Sequence, residues 1–98
     1  MIVITGSVVA RAGQLERALA SSLEHVRRSR LEPGCVSHAV HRDAERPDRL
    51  FFFEEWADQA AVAAHFAVPE SRAFVKALGD LAVEAPVLSM YDAVRLRG

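Results

Sequence analysis

Leu50-Phe51-Phe52-Phe53-Glu54-Glu55-Trp56 gathers four of the chain's seven aromatic residues into one run without helical spacing. Aromatic residues suit a pleated, half-buried surface, so the segment reads as a strand. Alternation along a strand sends Phe51 and Phe53 to one face and Phe52, Glu54 and Trp56 to the other, which leaves both faces apolar. Just upstream, Asp43-Ala44-Glu45-Arg46-Pro47-Asp48-Arg49 is polar with a central proline. It joins this strand to another, Cys35 to Arg42, through a hairpin loop longer than two residues.

Further out, Ile2 to Arg11 mixes Ile, Val, Thr and Ser with no helical period and breaks at Ala12-Gly13, which predicts the first strand. Its Ile2, Ile4 and Val8 oppose Val3 and Val9, again giving two apolar faces. From Gln14 to Leu31 the residues Leu15, Ala18, Leu19, Leu23 and Val26 fall near a 3.6-residue period. Glu16 in the first turn and Arg27, Arg28 and Arg30 in the last suit the dipole of an amphipathic helix. Glu32-Pro33-Gly34 stops it, because proline disfavours helical geometry in the preceding residue and glycine accepts positive φ.

Downstream, Asp58 stands at an N-cap position, and Gln59 to Ala67 carries Val62, His65 and Phe66 on one stripe. Pro69 interrupts this helix; Glu70 to Ala82 forms a further one with Phe74, Leu78 and Leu81 aligned, and Val87 to Leu96 returns to strand character. The order is β-α-β-β-α-β with the second helix broken at Pro69. Its compact α+β solution is a split βαβ sheet with the helices on one face. An apolar bare face then predicts burial against a second copy, hence a homodimer paired through its sheets.

At 98 residues, 51% hydrophobic and 26% charged, the chain suits one globular domain, 1–98. Twelve Lys and Arg against 13 Asp and Glu, with no long run of one sign, argue against a nucleic-acid partner. The lone Cys35 makes no intrachain disulfide, and neither an 18-residue apolar stretch nor a leader pattern is seen. The expectation is a cytoplasmic protein without membrane association.

Four histidines are the first candidates for chemistry. His38 and His41 lie three apart on a strand and project to opposite faces, so they do not chelate one ion together. His25, beside Arg27 and Arg28, reads as a solvated cation at a helix end, and no metal ligand is assigned. His65 shares the buried stripe of its helix, where an apolar cavity suits a general base. Glu54 and Glu55 face opposite sides and form no paired acid and base. Trp56 suits either the core or a flat wall against an aromatic ligand, and Tyr91 either a plain strand position or a hydrogen bond to a substrate oxygen. Phosphate-loop, paired-cysteine and Gly-x-Ser-x-Gly motifs are absent.

Glu32-Pro33-Gly34-Cys35, the polar hairpin with Pro47, Phe51 to Trp56, Asp58, Ala60-Ala61 and Ala64-His65-Phe66 together resemble the antibiotic biosynthesis monooxygenase family over nearly the whole chain. The resemblance implies ferredoxin-like βαββαβ subunits with an antiparallel sheet, pairing into a dimeric α/β barrel. Glu54 and Trp56 match the family's Glu-x-Trp, and His65 matches its pocket histidine; His38 falls where many relatives carry Tyr. A second helix histidine common in relatives is Glu70 here, with Ser71 in place of Phe. Haem-degrading relatives use an Asn where this chain has Gly6, and no Asn occurs anywhere, which disfavours that branch.

The activity expected is oxidation of an electron-rich aromatic, such as an anthrone, quinol or polyketide-like phenol, by O2 without a cofactor. His65, Trp56 and Tyr91 are the catalytic candidates, and His38, Phe52, Glu54 and Phe66 are the substrate-binding ones. A non-oxidative ligand-binding or stress-associated dimer and a polyketide isomerase or cyclase are the alternatives.

Overall fold

The structure, a computed structural model, describes residues 1–98. Its elements are β1 (Ile2–Val9), α1 (Leu15–Ser29), β2 (Cys35–Arg42), β3 (Arg49–Trp56), α2 (Gln59–Ala67), α3 (Pro69–Leu81) and β4 (Val87–Asp92). The four strands form one sheet in the order β2-β3-β1-β4, every neighbouring pair antiparallel. This is the ferredoxin-like arrangement expected from the element order. β4 stops at Asp92, short of the expected Leu96, because its partner β1 runs out: Ile2 faces Asp92, and the last link is Ala93 N–H to the Met1 carbonyl at 2.8 Å.

The register puts Ile2, Ile4, Gly6 and Val8 of β1 in line with Trp56, Glu54, Phe52 and Leu50 of β3. On this face the helices form a second layer, α1 against β2 and α3, and α2 against β3 and α3. The apolar core is divided. One cluster centres on Val8, Val26, Leu50, Phe52 and Leu78, the other on Ile2, Ile4, Trp56 and Val62. Between them run the buried polar side chains His38, Glu54 and His65.

Local chemistry fixes the helix ends. Asp58 accepts a hydrogen bond from the Ala61 N–H at 2.9 Å, capping α2, and Pro69 occupies the first turn of α3, where its missing N–H costs nothing. The turn after α1 is tighter than a helix stop requires. Gly34 has φ +82°, and a Cβ there would lie 2.5 Å from the Ala61 Cβ, so the turn docks against α2 at a distance only glycine permits. The Gly34 carbonyl also accepts the Ala57 N–H at 2.8 Å, binding the turn to the end of β3.

Substituting Gly34→Ala combines a left-handed backbone with a clash against α2. The expected loss in urea denaturation is about 2–4 kcal/mol, a value within 0.5 kcal/mol of wild type contradicting this account.

Candidate active site

α1, β2 and α2 each deliver one histidine to the same place. His25, His38 and His65 are buried with ring centroids 5.3 Å apart for His25–His38, 5.3 Å for His25–His65 and 5.7 Å for His38–His65. The closest ring nitrogens of the three all lie within 4.8 Å of one another. His25 is therefore not the solvated cation expected from its neighbours Arg27 and Arg28. It is 5% exposed and stacks on Phe74 of α3 at 4.1 Å between centroids.

Two carboxylates enter the group. Glu32, in the tight turn, accepts a 2.8 Å hydrogen bond from Nδ1 of His65, thirty-three positions away. Since a carboxylate only accepts, this bond places the proton of a neutral His65 on Nδ1 and the lone pair on Nε2. Glu54 accepts the Trp56 indole N–H at 2.9 Å through Oε1. The same oxygen is 3.2 Å from His38 Nε2, close enough for charge attraction but off the line of a hydrogen bond, and neither ring nitrogen of His38 has a hydrogen-bond partner.

Electrostatics separate the members. Burial works to raise the Glu54 carboxyl, but the adjacent His38 imidazole, the Trp56 N–H and attraction to the His65 ring outweigh it and hold Glu54 below the usual carboxylate range. His25 is pushed down to about 3, first by burial and then by His38, His65 and the Arg28 guanidinium. Arg28 donates to its Nδ1 at 2.9 Å, as suits a neutral ring. Burial, reinforced by Glu32 and Glu54, pushes the Cys35 thiol up, which leaves no thiolate nucleophile here at neutral pH.

The group opens on a cavity of about 400 Å³ between the sheet and α3. This lies within the usual range of small-molecule sites. His25, His65, Glu54, Phe52 and Phe66 are on its wall, together with Gly6 on its floor. Ser71, Phe74 and Leu78 of α3 close it from the helix side. Of the residues singled out by sequence, His65, Phe52, Glu54 and Phe66 thus meet at the cavity. Trp56 and His38, 0% and 2% exposed, stand behind them, Trp56 tilted against His65 at 4.5 Å between centroids. Tyr91 is not brought to the site. It is in register with Val3, which is paired with Glu55, on the sheet face away from the helices.

Glu32, His25 and the α3 wall were missed by sequence reasoning. The signal for His25 was present in disguise, since Ala18, Ser22, His25, Val26 and Ser29 form the buried stripe of α1. Ser22 and Ser29 satisfy their hydroxyls on the carbonyls four residues back, at 2.6 and 2.7 Å, and so occupy apolar positions.

The family model for antibiotic biosynthesis monooxygenases matches residues 1–77, which ends before β4. An uncharacterized protein of Synechocystis is 31% identical over 90 residues, 92% of this chain; the chain spans 61% of that relative's length. A solved structure from Deinococcus radiodurans superposes with TM-score 0.94 at 23% identity, covering 100% of this chain and 97% of the other. One from Mycobacterium tuberculosis gives TM-score 0.90 at 16% identity, covering 99% and 98%. Likeness at such identities establishes the shared fold.

His25 gives a pH signature to stability. Its folded pKa is lowered, so below pH 6.5 the unfolded chain takes up a proton that the folded chain refuses until about pH 3. Stability should therefore fall on acidification across that interval, by about 1.4 kcal/mol per pH unit near pH 5 from this group. Glu54, depressed when folded, acts in the same direction at lower pH. Urea denaturation of the metal-stripped protein between pH 7 and 4.5 tests this: the slope should flatten in His25→Gln, and an unchanged slope would show that His25 is not the group responsible.

Proposed function

The chain belongs to the antibiotic biosynthesis monooxygenase family, and from that membership together with the imidazole on the cavity wall we propose that it oxidises an electron-rich phenolic with O2. The substrate class is an anthrone, quinol or polyketide-like phenol. The observation that carries this reading is His65, held through Nδ1 by Glu32 and adjoining a mostly apolar cavity.

His65 Nε2 acts as the base. Removing the phenolic or adjacent C–H proton gives an anion electron-rich enough to reduce oxygen, and Glu32 stabilises the imidazolium that results. For an anthrone the balance closes without a further reductant: the methylene loses two C–H bonds, one oxygen atom becomes the ketone and the other leaves as water. Phe52 and Phe66 keep water from the anion, and Trp56 fixes Glu54 and the plane of His65 from behind. Ser71 supports a modified role for an oxyanion partner: its hydroxyl is buried, lines the cavity and has no hydrogen-bond partner, whereas Tyr91 lies away from it. Cofactor independence is part of this proposal.

We also infer a homodimer. β4 and the face away from the helices leave Val87, Tyr91 and Phe53 exposed at 62%, 54% and 38%, and no helix of the structure is long and apolar enough to cross a membrane. A second copy of the chain covers this face, completing the dimeric barrel. Sedimentation equilibrium should give twice the 10.8 kDa chain mass at micromolar concentration, and a monomer would refute the pairing.

Oxygen uptake tests the reaction, measured on metal-stripped protein with a panel of anthrones and hydroquinones against their autoxidation. Uptake with matching quinone formation is expected, falling by about 100-fold or more in His65→Ala. Gly6→Val should keep the fold and lose turnover by filling the cavity floor. Full activity in His65→Ala would remove His65 as the base, and tight binding without uptake would favour the isomerase or ligand-binding alternatives.

A further inference from the structure

We infer that His25, His38 and His65 form a binding site for one divalent transition-metal ion, with the cavity supplying an exchangeable fourth position. This goes beyond the oxidation proposed above and does not depend on it.

The ring spacing carries the argument. An ion bound to imidazole nitrogens at about 2.0–2.1 Å lies about 3.2 Å from each ring centroid, so three ligands at tetrahedral to trigonal angles have centroids about 5.2–5.5 Å apart. The observed separations are 5.3, 5.3 and 5.7 Å. The three elements therefore hold the rings at the spacing of a three-histidine centre before any ion arrives. Their nitrogens lie within 4.8 Å where a bound ion needs about 3.3–3.6 Å, so binding has to draw them together by rotation of the side chains.

The surroundings are those of a metal ligand set. Glu32 accepts from His65 Nδ1 at 2.8 Å, the carboxylate–histidine pairing that orients a ligand and raises its basicity, and Glu54 stands 3.2 Å from His38. Both His38 nitrogens and Glu32 Oε2 are buried without hydrogen-bond partners. A buried imidazole rarely remains unpaired at both nitrogens, and coordination gives one of them a partner. Arg28 is the opposing feature. It donates to His25 Nδ1 at 2.9 Å, so His25 joins the set when its ring turns over or Arg28 swings aside. Two carboxylates against one guanidinium still leave the surroundings favourable to a cation.

Three neutral imidazoles select zinc, cobalt, nickel or copper over magnesium and calcium. His25 and His65 both line the cavity, so an ion held between them faces it through a position no side chain fills. Sequence spacing rightly separates His38 from His41, which is exposed on the other face, but three histidines from distant segments converge instead. A bound ion occupies the nitrogen of His65 that the oxidation uses, so the loaded site and the basic site are alternative states of one cluster.

The test titrates untagged, metal-stripped full chain with Co2+ in visible absorption and with Zn2+ while following imidazole ring nitrogens by NMR. One equivalent of Co2+ should give tetrahedral visible bands in wild type and His41→Ala, with at least tenfold weaker binding in His38→Ala; excess Mg2+ should not compete. Because the variant is buried and could fail to fold, the wild-type NMR experiment decides independently. On adding Zn2+, ring nitrogens of His25, His38 and His65 should shift and those of His41 should not. Absence of one-equivalent binding, or shifts confined to His41, would overturn the site. Neither readout uses oxygen, so this result and the failure of the proposed oxidation are told apart.

Discussion

A carboxylate buried in the middle of the sheet, Glu54 at 6% exposure, sets the terms for the rest of the molecule. It occupies the helix-facing row between Phe52 and Trp56, where an aliphatic side chain would join the two apolar clusters into one core. Burying a charge there is unfavourable unless hydrogen bonds and opposite charge compensate it. Trp56 supplies an N–H, and His38 and His65 supply the imidazoles. Similar-sized apolar residues would stabilise such a centre at least as well, so the polar seam is better accounted for by chemistry at the cavity than by stability.

The turn at Glu32-Pro33-Gly34 links the fold to that seam. Gly34 brings the turn against Ala61 of α2, and this approach is what lets Glu32 reach His65 one turn further along the same helix. The orientation of His65 thus depends on a backbone conformation outside its own element. A small displacement of α2 would break a 2.8 Å hydrogen bond and free the ring to change tautomer.

The layer order was legible because β1 and β3 are rich in β-branched and aromatic residues without a helical period and because Asp58, Gly34 and Pro69 punctuate the helices at the right places. β4 was harder. Val87, Leu88, Met90 and Tyr91 put apolar residues on both faces, so alternation alone does not say which face Tyr91 joins; the pairing of Tyr91 with Val3 does. His25 was hidden for a different reason. Its stripe is written with serines that bond to their own helix, and a hydrophobic count overlooks them. Glu32 was quoted as part of a turn, and only the close packing of that turn on α2 makes it part of the site.

One missing side chain adds room to the cavity. Gly6 lies between Ile4 and Val8 in a row that is otherwise filled, facing Phe52 and Leu88. Its backbone is not in the left-handed region, and an added Cβ would meet Phe52 Cβ at 3.7 Å, an ordinary contact. Conformation and close packing therefore do not require glycine there, and glycine weakens a strand by about 0.5–1 kcal/mol relative to alanine. What glycine provides is room on the floor of the cavity, in the row next to Glu54. The strand gives up stability at the position where a larger side chain would occupy the space beside the histidines.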